Sequence, residues 1–128
     1  MKLAFTIARV LMALIYLVYG FNFFIHFFHA SLPAGKAGDF EGGLIRSGYF
    51  FEYMKAMQIA AAILLFGNRY VPLILVIMFP ISLNIFLFHI FLLHTGLVVA
   101  IILLLANTIL LYAYRNYYVA LLTPIIKL

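Results

Sequence analysis

The polar side chains that could bind a ligand are few, and they lie within or beside long apolar stretches. Asn22 and His26 are four residues apart and His29 follows three residues later, so one face of a helix would carry all three. The other candidates belong to two later apolar stretches and are Glu52, Lys55, Gln58, Asn84, His89 and His94. Polar groups are costly to bury in such surroundings, so their positions are informative about function.

Four of these residues also have purely structural interpretations. Glu52 and Lys55 are three residues apart and could form an ion pair at a membrane surface. Asn22 and Asn84 could hydrogen-bond neighbouring helices, as polar residues of membrane proteins often do. Both interpretations stay open beside a ligand-binding role.

The four histidines differ in the depth at which we expect them. His29 and His94 flank the apolar stretches, so an interfacial position without a ligand is their simplest interpretation. His26 and His89 are expected deeper, where an imidazole could donate a hydrogen bond to a ligand or exchange a proton near neutral pH.

The composition indicates a chain that is dissolved in lipid. Of its 128 residues, 69% are hydrophobic and 9% are charged, and the mean hydropathy is +1.24. A soluble domain of this size could not hide so much apolar surface. The absence of cysteine excludes disulfide exchange and cysteine-bound clusters as chemistry of this chain. The net charge of +5 comes from scattered basic residues, so we expect no nucleic acid partner.

Four apolar stretches are long enough to cross a membrane as helices, since a crossing takes about 20 residues. They predict an all-α, integral membrane four-helix bundle in a single domain, 1–128, with helices at about 3–28, 49–66, 70–93 and 96–114. The long external connection at about 29–48 contains Pro33 and many glycines. We therefore expect no more than a weak interfacial helix after Asp39 in this connection.

The placement of charge predicts the orientation of the bundle. One face carries five basic residues and no acidic one, namely Lys2, Arg9, Arg69, Arg115 and Lys127. The opposite face carries three basic and three acidic residues, namely Lys36, Arg46, Lys55, Asp39, Glu41 and Glu52. Because basic residues stay on the cytoplasmic side, both termini are predicted to be cytoplasmic.

Alternating helix directions bring the polar candidates to the same, external half of the membrane. The end of the first helix, the start of the second and the end of the third all carry such residues. The sequence therefore predicts a polar pocket that opens outward, with the 29–48 connection placed to cover it.

A series of short motifs runs through nearly the whole chain. They are Gly20-Phe21-Asn22 with His26, Pro33, Gly38, Phe40, Leu44, Ser47-Gly48-Tyr49, Asn68-Arg69, Pro72, Pro80, Asn84-Ile85, Phe88-His89 and Tyr114-Arg115. In order and spacing, they resemble the DoxX family of small bacterial membrane proteins.

The resemblance implies a multi-pass four-helix bundle in the bacterial inner (cytoplasmic) membrane. Some DoxX-like proteins are similar to the membrane subunit of a thiosulfate:quinone oxidoreductase, and distant relatives look like assembly chaperones. The position of Gln58 is often acidic in the family. A neutral amide cannot release a proton, so a proton-coupled role does not extend to this side chain.

These residues are compatible with three functions. The first is a redox accessory subunit that binds a quinone or another lipophilic ligand in the outward pocket, with ligand-binding candidates Asn22, His26, Gln58, Asn84 and His89. The second is a non-enzymatic scaffold or assembly chaperone that packs against other membrane proteins or a second copy. The third is a b-type haem held by His26 and His89, and no other metal site is predicted. No nucleophile–base pair can be named, so an accessory role is favoured over a stand-alone enzyme.

Overall fold

The computed structural model describes residues 1–25, 32–125 and 127. Across these residues the chain forms five α-helices and no strand, which confirms the predicted all-α class. The helices are α1 (Lys2–Ile25), α2 (Gly35–Arg46), α3 (Phe50–Phe66), α4 (Val71–Phe91) and α5 (Leu97–Ala113). Two short 3₁₀ turns, Arg115–Tyr118 and Ala120–Leu122, follow α5.

Two of the helices, α1 and α4, are long and apolar enough to cross a membrane. The axes of α2 and α3 meet at 88°, and this pair would supply a third span if it is one bent crossing. Helix α5 is apolar but has 17 residues, which corresponds to about 26 Å of helix. By length and composition, the described helices therefore supply two or three candidate membrane crossings.

Helices α1, α3, α4 and α5 pack side by side around a common apolar core. Helix α1 contacts both α3 and α5, whereas α4 packs mainly against α5 and only lightly against α3. Fully buried side chains such as Met12, Leu75 and Leu103 fill the centre of this core.

Gly20 allows α1 and α3 to approach each other closely. A Cβ atom at this position would lie 2.8 Å from Ile59 Cγ1 and 3.3 Å from the carbonyl oxygen of Lys55. Small residues at helix crossings favour association in membranes because they increase van der Waals contact between backbones. This crossing fixes the position of Lys55 relative to α1.

The connection predicted at 29–48 contains a longer helix than the weak one expected after Asp39. Helix α2 begins at Gly35 and continues through Gly42 and Gly43, although each glycine disfavours a helix by about 1 kcal/mol relative to alanine. Ala37 of this helix is only 1% exposed. Packing of one face of α2 against the rest of the molecule therefore outweighs its poor helix propensity.

Because α1, α3, α4 and α5 alternate in direction, the helix cluster has two distinct ends. One end holds the start of α1, the turn at 67–70 and the end of α5. At this end the guanidinium group of Arg9 donates hydrogen bonds to the carbonyl oxygens of Leu65 and, at 3.3 Å, Phe66. We name it the Arg9 end. The opposite end, with α2 and the connection at 92–96, is the His89 end.

Candidate ligand-binding cavity

A cavity of about 530 Å³ lies at the His89 end. All five helices contribute to its wall, and so does the connection between α4 and α5. The wall is mainly apolar and includes four phenylalanine rings, those of Phe40, Phe50, Phe51 and Phe88. The ring centroids of Phe40 and Phe88 are 5.7 Å apart, so α2 packs against α4 at the cavity. The volume is within the usual range for sites that bind small molecules.

The polar part of the wall contains four residues that the sequence singled out. They are Lys55 and Gln58 of α3, and Asn84 and His89 of α4. Lys55 Nζ donates a hydrogen bond to Gln58 Oε1 at 3.5 Å. Gln58 is only 1% exposed, so the protein interior and not bulk solvent surrounds its amide. Ammonium, amide and imidazole groups thus lie beside aromatic rings in one space.

His89 is held by the connection that follows α4. Its Nδ1 lies 3.1 Å from the carbonyl oxygen of Leu93. A carbonyl group only accepts, so Nδ1 donates in this hydrogen bond, and Nε2 of the neutral ring is an acceptor. Gly96 has a φ of +80°, and a Cβ atom there would lie 3.1 Å from His89 Cε1. The connection therefore fixes both the position and the hydrogen bonding of the imidazole.

Glu41 of α2 is a further charged residue of the wall, and the sequence pattern did not indicate this position. Partial burial raises the pKa of its carboxyl group, and the ammonium group of Lys55 and the imidazole of His89, when protonated, act in the opposite direction. These interactions indicate that the three groups face a common space. The carboxylate thus balances part of the positive charge at the cavity.

The predicted ion-pair residues Glu52 and Lys55 have different surroundings. Glu52 is exposed and lies outside the cavity wall, whereas Lys55 faces Gln58 and Glu41. Packing of α2 brings the carboxylate of Glu41 close to Lys55, and the sequence pattern within α3 contained no sign of this long-range approach.

The other candidates lie away from the cavity or outside the described part of the chain. Asn22 is partly buried on α1 and does not line the cavity. His94 is exposed and also lies outside the wall. His26 and His29 fall outside the described residues. Haem ligation by His26 and His89 therefore stays a prediction.

A buried set of hydrogen bonds next to the cavity was not predicted. The hydroxyl group of Tyr16, a wall residue, bonds to Ser82 Oγ and lies 3.4 Å from the carbonyl oxygen of Met78. Asn107 Nδ2 donates to the same Ser82 Oγ at 3.0 Å. Asn107 Oδ1 has no hydrogen-bond partner among the described residues, although the residue is fully buried. Ser82 and Asn107 are polar residues in apolar helices, but the sequence does not show that they and Tyr16 meet.

The cavity can hold a molecule that has a polar end and an apolar body. Lys55 Nζ and the amide groups of Gln58 and Asn84 are donors, and His89 Nε2 is an acceptor. Within residues 1–25, 32–125 and 127, no three or more His, Asp or Glu side chains form a group that could hold a metal ion.

Comparisons of this chain with protein-family models, with curated proteins and with solved structures give no match. The resemblance to the DoxX family consequently rests on the sequence motifs alone. The cavity and its polar side chains are the structural basis for a functional proposal.

Proposed function

We propose that this chain is a DoxX-like membrane protein that binds a quinone, or a lipophilic molecule of similar shape, as an accessory subunit of a redox system. One observation carries the proposal: in the cavity of about 530 Å³, phenylalanine rings adjoin Lys55, Gln58, Asn84 and His89. A quinone requires such an apolar slot with one or two hydrogen-bond donors at its carbonyl oxygens.

The polar groups of the cavity suit both redox states of a quinone. The ammonium group of Lys55 and the amides of Gln58 and Asn84 can donate to the carbonyl oxygens of the oxidised ring. His89 Nε2, as an acceptor, suits a hydroxyl group of the reduced ring.

We further infer that α1, α3, α4 and α5 cross the bacterial inner membrane as a four-helix bundle, with the Arg9 end in the cytoplasm. The three acidic residues of the chain, Asp39, Glu41 and Glu52, belong to α2 and the first turn of α3. Basic residues without acidic neighbours favour a cytoplasmic position for the opposite end. Helices α3 and α5, with 17 residues each, fit a bilayer that thins slightly around them.

Quinone content tests the proposal directly. Protein purified from native membranes should contain quinone, which solvent extraction and mass spectrometry can quantify. We expect His89→Ala and Gln58→Leu each to lower the affinity for added ubiquinone about tenfold, because each removes a polar partner worth roughly 1.4 kcal/mol. His94→Ala is the matched control, because this histidine is exposed and outside the cavity wall.

Wild-type protein without quinone, or equal affinity in the three variants and the wild type, would contradict the proposal. Co-purification of other membrane proteins with quinone-free chain would instead favour the scaffold hypothesis. A Soret absorption band in protein from haem-replete cells would favour the haem hypothesis.

A further inference from the structure

A second cavity, of about 270 Å³, lies at the Arg9 end. The start of α1, the turn between α3 and α4, and the end of α5 form it. Its wall consists of Lys2, Phe5, Thr6, Arg9, Asn68, Ala113 and Tyr114. Two cationic side chains and three neutral hydrogen-bonding side chains therefore meet in one concave space.

Arg9 is fixed in this wall by the end of α3. Its Nη1 donates to the carbonyl oxygens of Leu65 and Phe66, the last two residues of that helix. A guanidinium group has five N–H donors, so the donors on Nη2 and Nε are left for another acceptor. Arginine in a fixed position beside lysine is an arrangement that favours phosphate oxygens.

Among the described residues, no acidic side chain lines this positively charged cavity. All three acidic residues of the chain belong to α2 and the first turn of α3, at the other end of the molecule. Arg115 is close in sequence to the cavity wall but is occupied elsewhere. Its Nη1 donates to the Tyr112 carbonyl oxygen at 2.9 Å, and its guanidinium group lies 4.3 Å from the Tyr112 ring centroid. An anion from outside the chain would neutralise Lys2 and Arg9.

We propose that the cavity at the Arg9 end binds a phosphate group. Arg9 and Lys2 neutralise its charge, and Thr6, Asn68 and Tyr114 supply neutral hydrogen bonds. A phospholipid headgroup and inorganic phosphate share this chemistry. The site is independent of the proposed quinone site, because it lies at the opposite end and uses none of the same residues.

Native mass spectrometry of the full chain in detergent tests this site with three probes. They are dioleoyl phosphatidylglycerol, dioleoylglycerol, which has the same acyl chains without the phosphate, and inorganic phosphate. We expect a phosphate-containing probe to bind and dioleoylglycerol not to bind. Lys2→Gln should lower the affinity about fivefold at low salt, and Lys2→Glu should lower it further, because a basic residue contributes about this factor to binding of anionic lipid.

Lys36→Gln is the matched control, since Lys36 is an exposed lysine of α2 at the His89 end. Lys2 is also exposed, so its substitution leaves the core intact. Loss of phosphatidylglycerol binding in the Lys2 variants assigns the site to a lipid headgroup, and loss of inorganic phosphate binding alone assigns it to free phosphate. The proposal would be overturned if the two lipids bound equally and inorganic phosphate did not bind. It would also be overturned if Lys2→Gln and Lys36→Gln had equal affinities.

Discussion

The two ends of the helix cluster differ in how they accommodate charge. At the His89 end, Lys55 lies deep in an apolar cavity, and Glu41 from α2 faces it. At the Arg9 end, Lys2 and Arg9 line a smaller cavity without an acidic residue. Burial of a charge is costly unless an opposite charge or a hydrogen bond compensates it. The cavity at the His89 end therefore contains its own counter-charge, whereas the cavity at the Arg9 end depends on an anion from its surroundings.

Loss of the Arg9 side chain should have the largest effect on stability. Arg9→Met removes the charged hydrogen bonds to the carbonyl oxygens of Leu65 and Phe66, so we expect the free energy of unfolding to fall by about 2 kcal/mol. Arg46→Met, at an exposed position of α2, is the control and should change it by less than about 0.5 kcal/mol. Equilibrium unfolding in detergent micelles measures both values. Equal losses of stability in the two variants would show that the hydrogen bonds of Arg9 do not stabilise the Arg9 end.

The buried hydrogen bonds beside the cavity at the His89 end should be energetically coupled. Ser82→Ala removes the partner shared by Tyr16 and Asn107, so we expect a loss of roughly 1–2 kcal/mol in the free energy of unfolding. The double variant Ser82→Ala/Asn107→Leu should lose less stability than the sum of the two single variants. Ser82→Ala alone leaves the buried amide of Asn107 without its hydrogen-bond partner, and leucine at position 107 removes that amide. Strictly additive values in this double-mutant cycle would contradict the coupling.

Substitution of two glycines can separate the effect of backbone strain from the effect of a displaced His89 ring. Gly96 and Gly48 both have positive φ, so alanine at either position should cost about 1 kcal/mol in stability. A Cβ atom at Gly96 would also lie only 3.1 Å from His89 Cε1, whereas a Cβ atom at Gly48 would have no contact within 4 Å among the described residues. We therefore expect only Gly96→Ala to lower quinone affinity, by a few fold in a binding titration. Equal affinities of the two variants would argue against His89 as a ligand contact.

The smallest effect should come from Glu52. This residue is exposed and lies outside the cavity wall, so Glu52→Gln should change the free energy of unfolding by less than about 0.5 kcal/mol. Quinone affinity should equal that of the wild type in the same titration. A clear decrease in either quantity would favour an ion pair between Glu52 and Lys55.

The sequence was sufficient to predict the helical class, and it singled out four polar residues that the structure has in the cavity wall. Long apolar stretches predict helices without tertiary information, because a backbone in lipid must satisfy its own hydrogen bonds. Alternating helix directions then place Lys55, Gln58, Asn84 and His89 at one end, where the structure has them in a single wall.

Residues whose role depends on packing between distant segments were not predictable. Glu41 lies in a glycine-rich stretch with weak helix propensity, and only the docking of α2 brings it to the cavity. Tyr16 and Ser82 are 66 residues apart, so only the folded arrangement of α1 and α4 reveals their hydrogen bond. The contact of Gly96 with His89 likewise depends on the backbone conformation of a short connection.

Photo-cross-linking with an azido-quinone can test whether a quinone binds in the cavity at the His89 end, because the label marks the residues next to the bound ring. We expect the label to attach to the segments 54–58 and 84–89, and excess unlabelled quinone should prevent this labelling. The same label should be much weaker in His89→Ala and unchanged in His94→Ala. Label on the exposed face of α5 around Ile101 and Leu105, or label that unlabelled quinone does not displace, would contradict a quinone site in the cavity.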